Sequence, residues 1–174
     1  MTDNRSFSYQ PAIHGNRIVW ESRANVSGSS NISMYDISTS RKTQITMNKF
    51  NQEHSAIYGD RIVWEDHRNG NLDIYMYDPS TAKEIQITNS GLAHDPSIYG
   101  DRIVWQDNRN DKEYIDNSDI YMYDLSTKRE TQITTNESHQ QNPVIYGDKI
   151  VWIDYRNGNW GDIYMCVISE QAEK

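Results

Sequence analysis

The sequence predicts an all-β fold built from four copies of one four-stranded unit. The first observation behind this prediction is an internal repeat, in which the string Ile-Val-Trp returns with similar flanking residues at Trp20, Trp64, Trp105 and Trp152. These tryptophans are 44, 41 and 47 residues apart, a period typical of solenoids, propellers and repeat arrays. The second observation is that turn residues recur about every eight to twelve positions between β-branched and aromatic runs, whereas no segment keeps a helical period of apolar residues.

The second copy shows the four strands most clearly. We predict strand one at about Ser55–Tyr58, strand two at Arg61–Glu65, strand three at Asp73–Tyr77 and strand four at Lys83–Thr88. A Gly-Asp turn separates the first two strands, an Asn-Gly hairpin loop separates the next two, and an Asp-Pro-Ser-Thr turn precedes the last. The other copies keep this order, so each is predicted to form one antiparallel sheet.

Both faces of these strands carry bulky apolar side chains. In strand two of the second copy, Ile62 and Trp64 face one way and Val63 faces the other. A sheet with one solvated face would alternate apolar and polar residues, so a sheet covered on both sides by similar sheets fits better. Blades of a β-propeller are packed in this way. We therefore predict one propeller domain, 1–174, with blades at about 11–46, 55–88, 96–134 and 143–167.

The fourth copy is expected to lack its outer strand. Its third strand ends in Cys166 and Val167 instead of a Tyr-Asp pair, and the Gln-Ile-Thr that closes the other copies has no counterpart. Aligning the copies places both Thr2 and Lys174 in that outermost strand. Blade four is therefore predicted to have three strands plus whatever the chain ends supply.

Composition disfavours two classes of partner. The net charge is −8, with 25 acidic residues against 17 Lys and Arg, so we expect no nucleic-acid partner. The chain has no run of about 18 or more apolar residues, so we expect no membrane insertion. Its first residues lack the apolar core of a signal peptide, and the single cysteine, Cys166, excludes a disulfide within one chain.

The repeat resembles that of a known family. The string from Arg68 to Asp78, followed by Ile87 and Thr88, is similar to the TolB-type propeller repeat, and the Ile-Val-Trp core with the Gln-Ile-Thr ending resembles the variant found in archaeal cell-surface proteins. The resemblance implies an extracellular or cell-surface location. Known members of the family close with more than four blades, so three assemblies stay open: an eight-bladed ring of two chains (a homodimer), a four-bladed monomer, and a fragment of a longer array.

The candidate ligand-binding residues lie on one predicted face. In a propeller, the hairpins between strands two and three emerge on the same face as the connections from strand four to the next strand one. We call this the loop-rich face. Its candidate residues are Arg68, Arg109 and Arg156 in the hairpins and Gln10, His54, His94, Asp95, Gln141 and Asn142 in the connections. The alternative for the arginines is structural, because each follows an Asp at Asp-x-Arg spacing and a repeated fold needs the same brace in every hairpin.

Two metal-binding alternatives have weak support in the sequence. The loop Asp66–Asp73 offers several oxygen donors for calcium, but it lacks the spacing of an EF-hand, and Asn-Gly is a strong hairpin signal. His54, His94 and His139 precede strand one, and propeller-type oligogalacturonate lyases are similar in using channel-facing groups of this kind. Because the offsets differ between copies, we expect solvated loop histidines instead. We assign no cofactor and no metal ligand.

No pattern predicts a catalytic centre. The chain has no Gly-x-Ser-x-Gly and no glycine-rich phosphate loop, and Cys166 stands in an apolar strand. The first hypothesis is therefore a non-catalytic β-propeller scaffold that binds protein or glycan through the loop-rich face. The second is a metal-dependent polysaccharide lyase or hydrolase that uses the channel histidines, and the third is a purely structural repeat of a surface coat.

Overall fold

The computed structural model describes residues 6–25, 28–111 and 117–168, and every regular element within them is a β-strand. The described strands are β1 (Phe7–His14), β2 (Arg17–Arg23), β3 (Ser30–Asp36), β4 (Arg41–Gln44), β5 (Gln52–Tyr58), β6 (Arg61–Asp66), β7 (Asp73–Asp78), β8 (Lys83–Gln86), β9 (Ala93–Tyr99), β10 (Arg102–Asp107), β11 (Asp119–Asp124), β12 (Arg129–Gln132), β13 (Gln140–Tyr146), β14 (Lys149–Asp154) and β15 (Asp162–Val167). No helix that could cross a membrane occurs in this described part of the chain.

The strands form four sheets, one from each sequence repeat, which we call blades one to four. Blades one, two and three have four strands each in the orders β1-β2-β3-β4, β5-β6-β7-β8 and β9-β10-β11-β12, and blade four has the three strands β13-β14-β15. The predicted all-β class is thus confirmed. Blade four has the predicted three strands within the described residues, whereas the chain ends proposed to complete it, 1–5 and 169–174, lie outside them.

The chain divides into two compact units, Met1–Pro96 and Ser97–Lys174. In the first unit, Val19 and Ile32 of blade one pack with Ile57, Ile62 and Trp64 of blade two. The second unit repeats this arrangement with equivalent residues of blades three and four, namely Val104, Ile120 and Met122 against Ile145, Ile150 and Trp152. Each unit therefore has a core formed where two sheets face one another.

Both faces of the middle strands are buried, as their side-chain pattern predicts. Ile62 and Trp64 on one face of β6 and Val63 on the other are fully inaccessible to solvent. Complete burial of an Ile or Val side chain stabilises a fold by about 1.5–3 kcal/mol. A blade therefore gains this stabilisation on both of its faces only when it is covered on both.

Strand four is shorter than predicted, and its closing threonine has a different role. In blade two, β8 ends at Gln86 instead of Thr88. The Thr88 Oγ1 accepts a hydrogen bond from the backbone N of Ile74 at 2.9 Å, and the Gln86 side-chain amide donates to the Thr88 carbonyl at 2.8 Å. Blades one and three have the same contacts through Thr46 and Thr134. The Gln-Ile-Thr string is thus a side-chain closure of the sheet.

Strand one is longer than predicted, which corrects the positions of several candidate residues. Gln10, His54, His94, Asp95, Gln141 and Asn142 were expected in connecting loops, but all of them lie inside β1, β5, β9 or β13. The predicted starts at Pro11, Pro96 and Pro143 were too late because the strand continues through a residue with a positive φ, 46°, 49° and 53°, before each proline. In β1 and β13 the pairing register shifts at this residue, which marks a β-bulge. A bulge leaves the proline outside the hydrogen-bond ladder, so pairing continues on its other side.

The aspartates at the end of strand three stabilise the next turn. The Asp78 Oδ1 accepts hydrogen bonds from the backbone N and the Oγ of Ser80 at 2.9 and 2.7 Å. These hydrogen bonds hold the pKa of Asp78 below its usual value. Asp36 and Asp124 make the same kind of turn with Ser38 and Ser126.

Candidate functional site

An Asp-x-Arg pair braces the hairpin between strands two and three. In blade two, Asp66 accepts hydrogen bonds from the Trp64 Nε1 at 2.9 Å, the Arg68 backbone N at 2.9 Å and the Arg68 Nη2 at 2.6 Å. The guanidinium of Arg68 also lies 4.2 Å from the centroid of the Tyr75 ring and 2.6 Å from Glu84. We call this arrangement the Trp-Asp-Arg brace.

The brace recurs in blades three and four. The Arg109 Nη2 is 2.5 Å from Asp107, and the Arg156 Nη2 is 2.6 Å from Asp154. Burial acts to raise the pKa of Asp107, but hydrogen bonds from Arg109 and Trp105 outweigh it and place that pKa below its usual value. The structural interpretation of the Asp-x-Arg spacing is thus confirmed, and ligand binding by Arg68, Arg109 and Arg156 stays a prediction.

The carboxylates of the loop proposed for calcium already have protein partners. Besides the contacts of Asp66 in the brace, Asp73 accepts hydrogen bonds from the Thr88 Oγ1 at 3.0 Å, the Gln86 amide at 3.2 Å and the Gly91 backbone N at 3.1 Å. Calcium takes about six to eight oxygen ligands. A calcium ion in this loop would therefore have to displace hydrogen bonds that hold the blade together.

Removing the brace carboxylate is expected to destabilise the fold. Asp66→Ala should lower the free energy of unfolding by at least about 2 kcal/mol, because the buried Trp64 Nε1 loses its acceptor and the Arg68 guanidinium keeps only Glu84. Urea unfolding followed by tryptophan fluorescence measures the change. Asp78→Ala in the exposed turn of the same blade is the control, and it should lower the free energy of unfolding clearly less. Equal losses in the two variants would show that the brace adds nothing to stability.

A second group of charged residues surrounds His54 in the first unit. We call His54, Glu21, Glu53, Glu65, Asp95 and Arg23 the His54 cluster. Its central bond joins the His54 Nδ1 to the Glu65 Oε2 over 2.9 Å, and the Glu65 side chain is only 4% exposed. The other Glu65 oxygen accepts a hydrogen bond from the Asp95 backbone N at 2.6 Å. A buried carboxylate thus holds together residues of two strand-one bulges.

The bulges explain how the cluster is placed. His54 and Asp95 have φ of 51° and 49°, and each interrupts the regular alternation of its strand. The candidate residue Gln10 lies at the equivalent bulge of blade one, and its Oε1 accepts a hydrogen bond from the His54 backbone N at 3.2 Å. His94 is half-buried on the same strand as Asp95. Gln10, His54 and His94 are therefore brought to one region of the first unit.

Arg23 balances part of the negative charge. Its Nη2 is 3.4 Å from Glu21 and 3.3 Å from the Oε1 of Glu53, and that same Glu53 oxygen accepts a hydrogen bond from the Ser30 Oγ at 2.9 Å. Glu21 is almost completely buried, and Glu53 is half-buried. One guanidinium is therefore shared by two carboxylates.

The electrostatics show that the cluster is short of positive charge. The hydrogen bond with Glu65 raises the pKa of His54 to about 9, so the imidazole is protonated at neutral pH. Burial and the charge of Glu53 raise the pKa of Glu21, and burial and the charge of Glu65 raise that of Asp95. The four carboxylates of the cluster share the imidazolium of His54 and the guanidinium of Arg23, and the His67 Nε2 lies 4.0 Å from Glu53. A further cation would lower the repulsion among the carboxylates.

The His54 pair predicts a loss of stability in alkali. Its folded pKa lies above the ordinary 6.5, so its contribution is complete below about pH 6.5 and is lost as the pH rises through about 9. Because the imidazole is 39% exposed and solvent screens the pair, we expect the loss to be about 1–2 kcal/mol. The free energy of unfolding in urea at pH 6 and pH 9.5 measures it. His54→Gln should flatten this pH dependence, whereas His94→Gln should leave it intact. The same slope in His54→Gln would refute the assignment.

The cluster also contains a set of atoms that could hold a metal ion. One ligand atom from each of Glu53, His54 and Glu65 lies within 4.8 Å of the others. A metal ion must take the place of the proton on His54, and that proton is held with a pKa of about 9. A metal ion at these atoms would therefore have to displace the proton of the His54–Glu65 pair.

In the second unit, His139 and Gln141 form a smaller polar network. The two ring nitrogens of His139 are 2.6 Å from the Ser118 Oγ and 2.9 Å from the Gln141 Oε1, and the Gln141 amide donates to the Tyr155 hydroxyl at 2.7 Å. The expectation of solvated loop histidines is therefore wrong for His54, which lies in β5, whereas His139 does lie in a loop, directly before β13. Both are half-buried, and both have hydrogen-bonded rings.

Sequence reasoning missed the acidic members of the His54 cluster. The residue after the repeated tryptophan is Glu21 in the first copy and Glu65 in the second, whereas it is Gln106 and Ile153 in the third and fourth. This departure from the repeat is a signal that the sequence contains. It does not show that the two glutamates share one site, because that depends on contacts between two blades.

Comparison with known proteins shows the fold and no closer relationship. No protein-family model matches the chain, and no curated protein matches it. Among solved structures it is similar to a putative TolB from Agrobacterium tumefaciens, with 16% identity and a TM-score of 0.70 over 88% of this chain and 58% of that one. The β-propeller domain of the Trilobed protease from Pyrococcus furiosus gives 14% identity and a TM-score of 0.69 over 98% of this chain and 57% of that one.

A chain of the nidogen/laminin complex also matches, with 12% identity and a TM-score of 0.60 over 86% of this chain and 56% of that one. The fold is thus a TolB-like β-propeller. The chain spans less than two thirds of the length of each of these three structures.

Proposed function

We propose that the protein is a non-catalytic β-propeller binding module that receives a cationic side chain of a partner protein at the His54 cluster. The observation that supports this best is the excess of carboxylates over cations in the cluster, where Glu21 and Glu65 are buried, Glu53 and Asp95 are half-buried, and burial and neighbouring acids raise the pKa of Glu21 and Asp95. A Lys or Arg side chain would relieve that repulsion. A neutral glycan offers no cation, so the geometry favours a protein partner.

A non-catalytic role agrees with the reactive groups on the described residues. Burial raises the pKa of Cys166, the only thiol of the chain, which makes it a poor nucleophile. The arginines of the braces are paired within their own blades. The family resemblance supports a location on or outside the cell surface.

Peptide binding tests the proposed site. Short peptides with one Lys or Arg among neutral residues should bind, and Glu53→Gln should weaken their binding roughly tenfold by removing one partner of a charge-assisted contact. Glu137→Gln, which makes the same charge change at an exposed position, is the control. Calorimetry with both variants measures the effect.

Three outcomes of that experiment would contradict the proposal. Equal binding by the two variants would show that the peptides bind outside the His54 cluster. Binding only to neutral oligosaccharides, or only after addition of manganese or zinc, would favour a glycan-binding module or the metal-dependent enzyme. No saturable ligand of any of these kinds would favour a structural coat repeat.

We further propose that two copies of the chain associate through apolar faces that one chain leaves uncovered. On blade four, Ile163 is 74% and Met165 55% exposed. Their counterparts in blade two, Ile74 and Met76, are 0% and 3% exposed, and those in blade three are similarly buried. Blade four thus presents a face that the preceding blades bury.

Blade one leaves the face that carries Ile13 of β1 exposed to solvent. Ile13 is 64% exposed, whereas its counterparts Ile57, Ile98 and Ile145 are at most 8% exposed. Within each unit, the face that carries the strand-three isoleucine of one blade, equivalent to Ile74, packs against the face that carries the strand-one isoleucine of the next, equivalent to Ile57. The exposed face of blade four is of the first kind and that of blade one is of the second, so the two could pack in the same way. Blade four of one copy against blade one of another would make the same contact twice, as an eight-bladed ring of two chains requires.

Solution mass tests this association. Light scattering should give twice the 20.3 kDa of one chain, because faces of this kind are buried wherever two blades meet. Met165→Glu should give the mass of a single chain, and Ile85→Glu, which places the same charge on the outer strand of blade two, should not. A wild-type mass of 20.3 kDa, or a Met165→Glu variant that stays double, would refute the two-chain assembly.

A further inference from the structure

Blade one lacks the Trp-Asp-Arg brace. It keeps the tryptophan, Trp20, but smaller side chains replace the rest of the arrangement. Ser22 stands in the position of Asp66, Ala24 in that of Arg68, and Ser33 in that of Tyr75, as the strand registers show. One carboxylate, one guanidinium and one phenol ring are therefore absent from the same place.

A cavity of about 260 Å³ occupies that place. Its walls include all three of the replacing residues and two cations, Arg23 and Lys42, and among the described residues that line it there is no acid. Lys42 is itself a reversal of charge, because blades two and three have Glu84 and Glu130 at this position. The cavity thus combines room for a ring with the positive charge of Lys42, whereas Arg23 is already paired with Glu21 and Glu53.

The indole of Trp20 provides an independent sign of a ligand. Its ring is 2% exposed, and its Nε1 has no hydrogen-bond partner among the described residues. In the other blades the same indole nitrogen donates to the Asp two residues further on, at 2.9–3.0 Å. In blade one that position is Ser22, which lines the cavity. A buried donor without an acceptor is costly and therefore rare in proteins.

The serines do not take over the role of the carboxylate. The Ser22 Oγ is 2.9 Å from the Ser33 Oγ and 3.3 Å from the Asn31 carbonyl, so these groups satisfy each other. The Lys42 Nζ lies over the Trp20 ring, 5.5 Å from its centroid. The Nε of Arg23 is also buried without a partner in the described part of the chain.

We propose that this cavity binds a small cyclic carboxylic acid. The carboxylate takes the position that Asp66 has in blade two, accepts a hydrogen bond from the Trp20 Nε1 and pairs with Lys42. The ring of the ligand fills the room that Arg68 and Tyr75 fill in that blade. Aromatic acids and hexuronic acids both provide a carboxylate on a ring of this size. The site is separate from the cation site proposed above and shares only Arg23 with it.

The Trp20 indole N–H signal in a ¹H–¹⁵N spectrum of the full chain reports on the site. It is assigned by its absence from the Trp20→Phe variant. Benzoate and galacturonate, titrated separately, distinguish an aromatic from a sugar acid, and at least one of them should shift this signal saturably. Benzamide, which has the same ring as benzoate without the charge, should not.

Two variants and one control locate the binding. Ser22→Asp supplies the carboxylate from the chain itself, so it should weaken binding of the acid at least about tenfold and raise the melting temperature. Lys42→Glu should weaken binding by a similar factor by reversing the charge. Arg41→Glu, with the same charge change on the exposed neighbouring residue, should bind as the unmodified chain does.

The following results would overturn the proposal. The Trp20 signal could stay in place with both acids, or benzamide or inorganic phosphate could shift it as much as the acids do. Unchanged binding in both Ser22→Asp and Lys42→Glu would place the acid elsewhere. An equal loss of affinity in Arg41→Glu would show that the weaker binding comes from general surface charge and not from Lys42.

Discussion

The structure depends on the fact that every blade is a thin sheet with apolar side chains on both faces. Ile62 and Trp64 on one face of β6 and Val63 on the other cannot be buried within a single sheet, so a blade is stable only when other sheets cover it. This requirement explains the repeat, because blades of similar sequence present similar apolar faces to one another. It also explains why Ile13 and Ile163 stand out, since they belong to faces that the chain leaves open.

A second constraint is that polar groups at the edges of the blades need partners. The Trp-Asp-Arg brace supplies them by joining an indole, a carboxylate and a guanidinium in one hairpin, and the Gln-Ile-Thr closure supplies them at the end of strand four. Because the same contacts recur in several blades, a blade that lacks one of them stands out. Blade one is such an exception, because Trp20 keeps the donor while Ser22 and Ala24 remove its partners.

The two proposed sites have different physical origins. The His54 cluster arises where bulges of strand one bring charged residues against a neighbouring blade, so its acids exceed its cations. The blade-one cavity arises from substitutions by smaller residues within one blade, and its described lining includes Lys42 together with Arg23, which is already paired with Glu21 and Glu53. The first would attract a cation and the second an anion, and Arg23 contributes its guanidinium to both.

By itself the sequence determined the repeat, the order of the strands within the copies and the Asp-x-Arg braces. All of these depend on local spacing and on the alternation of side chains along one strand, which a sequence shows directly. Only the tertiary structure decided that strand one extends past its bulge and that His54 meets Glu65 and Asp95. It also decided that the substitutions around Trp20 leave a cavity. Those features depend on contacts between blades and on backbone φ values, and neither follows from spacing along the chain.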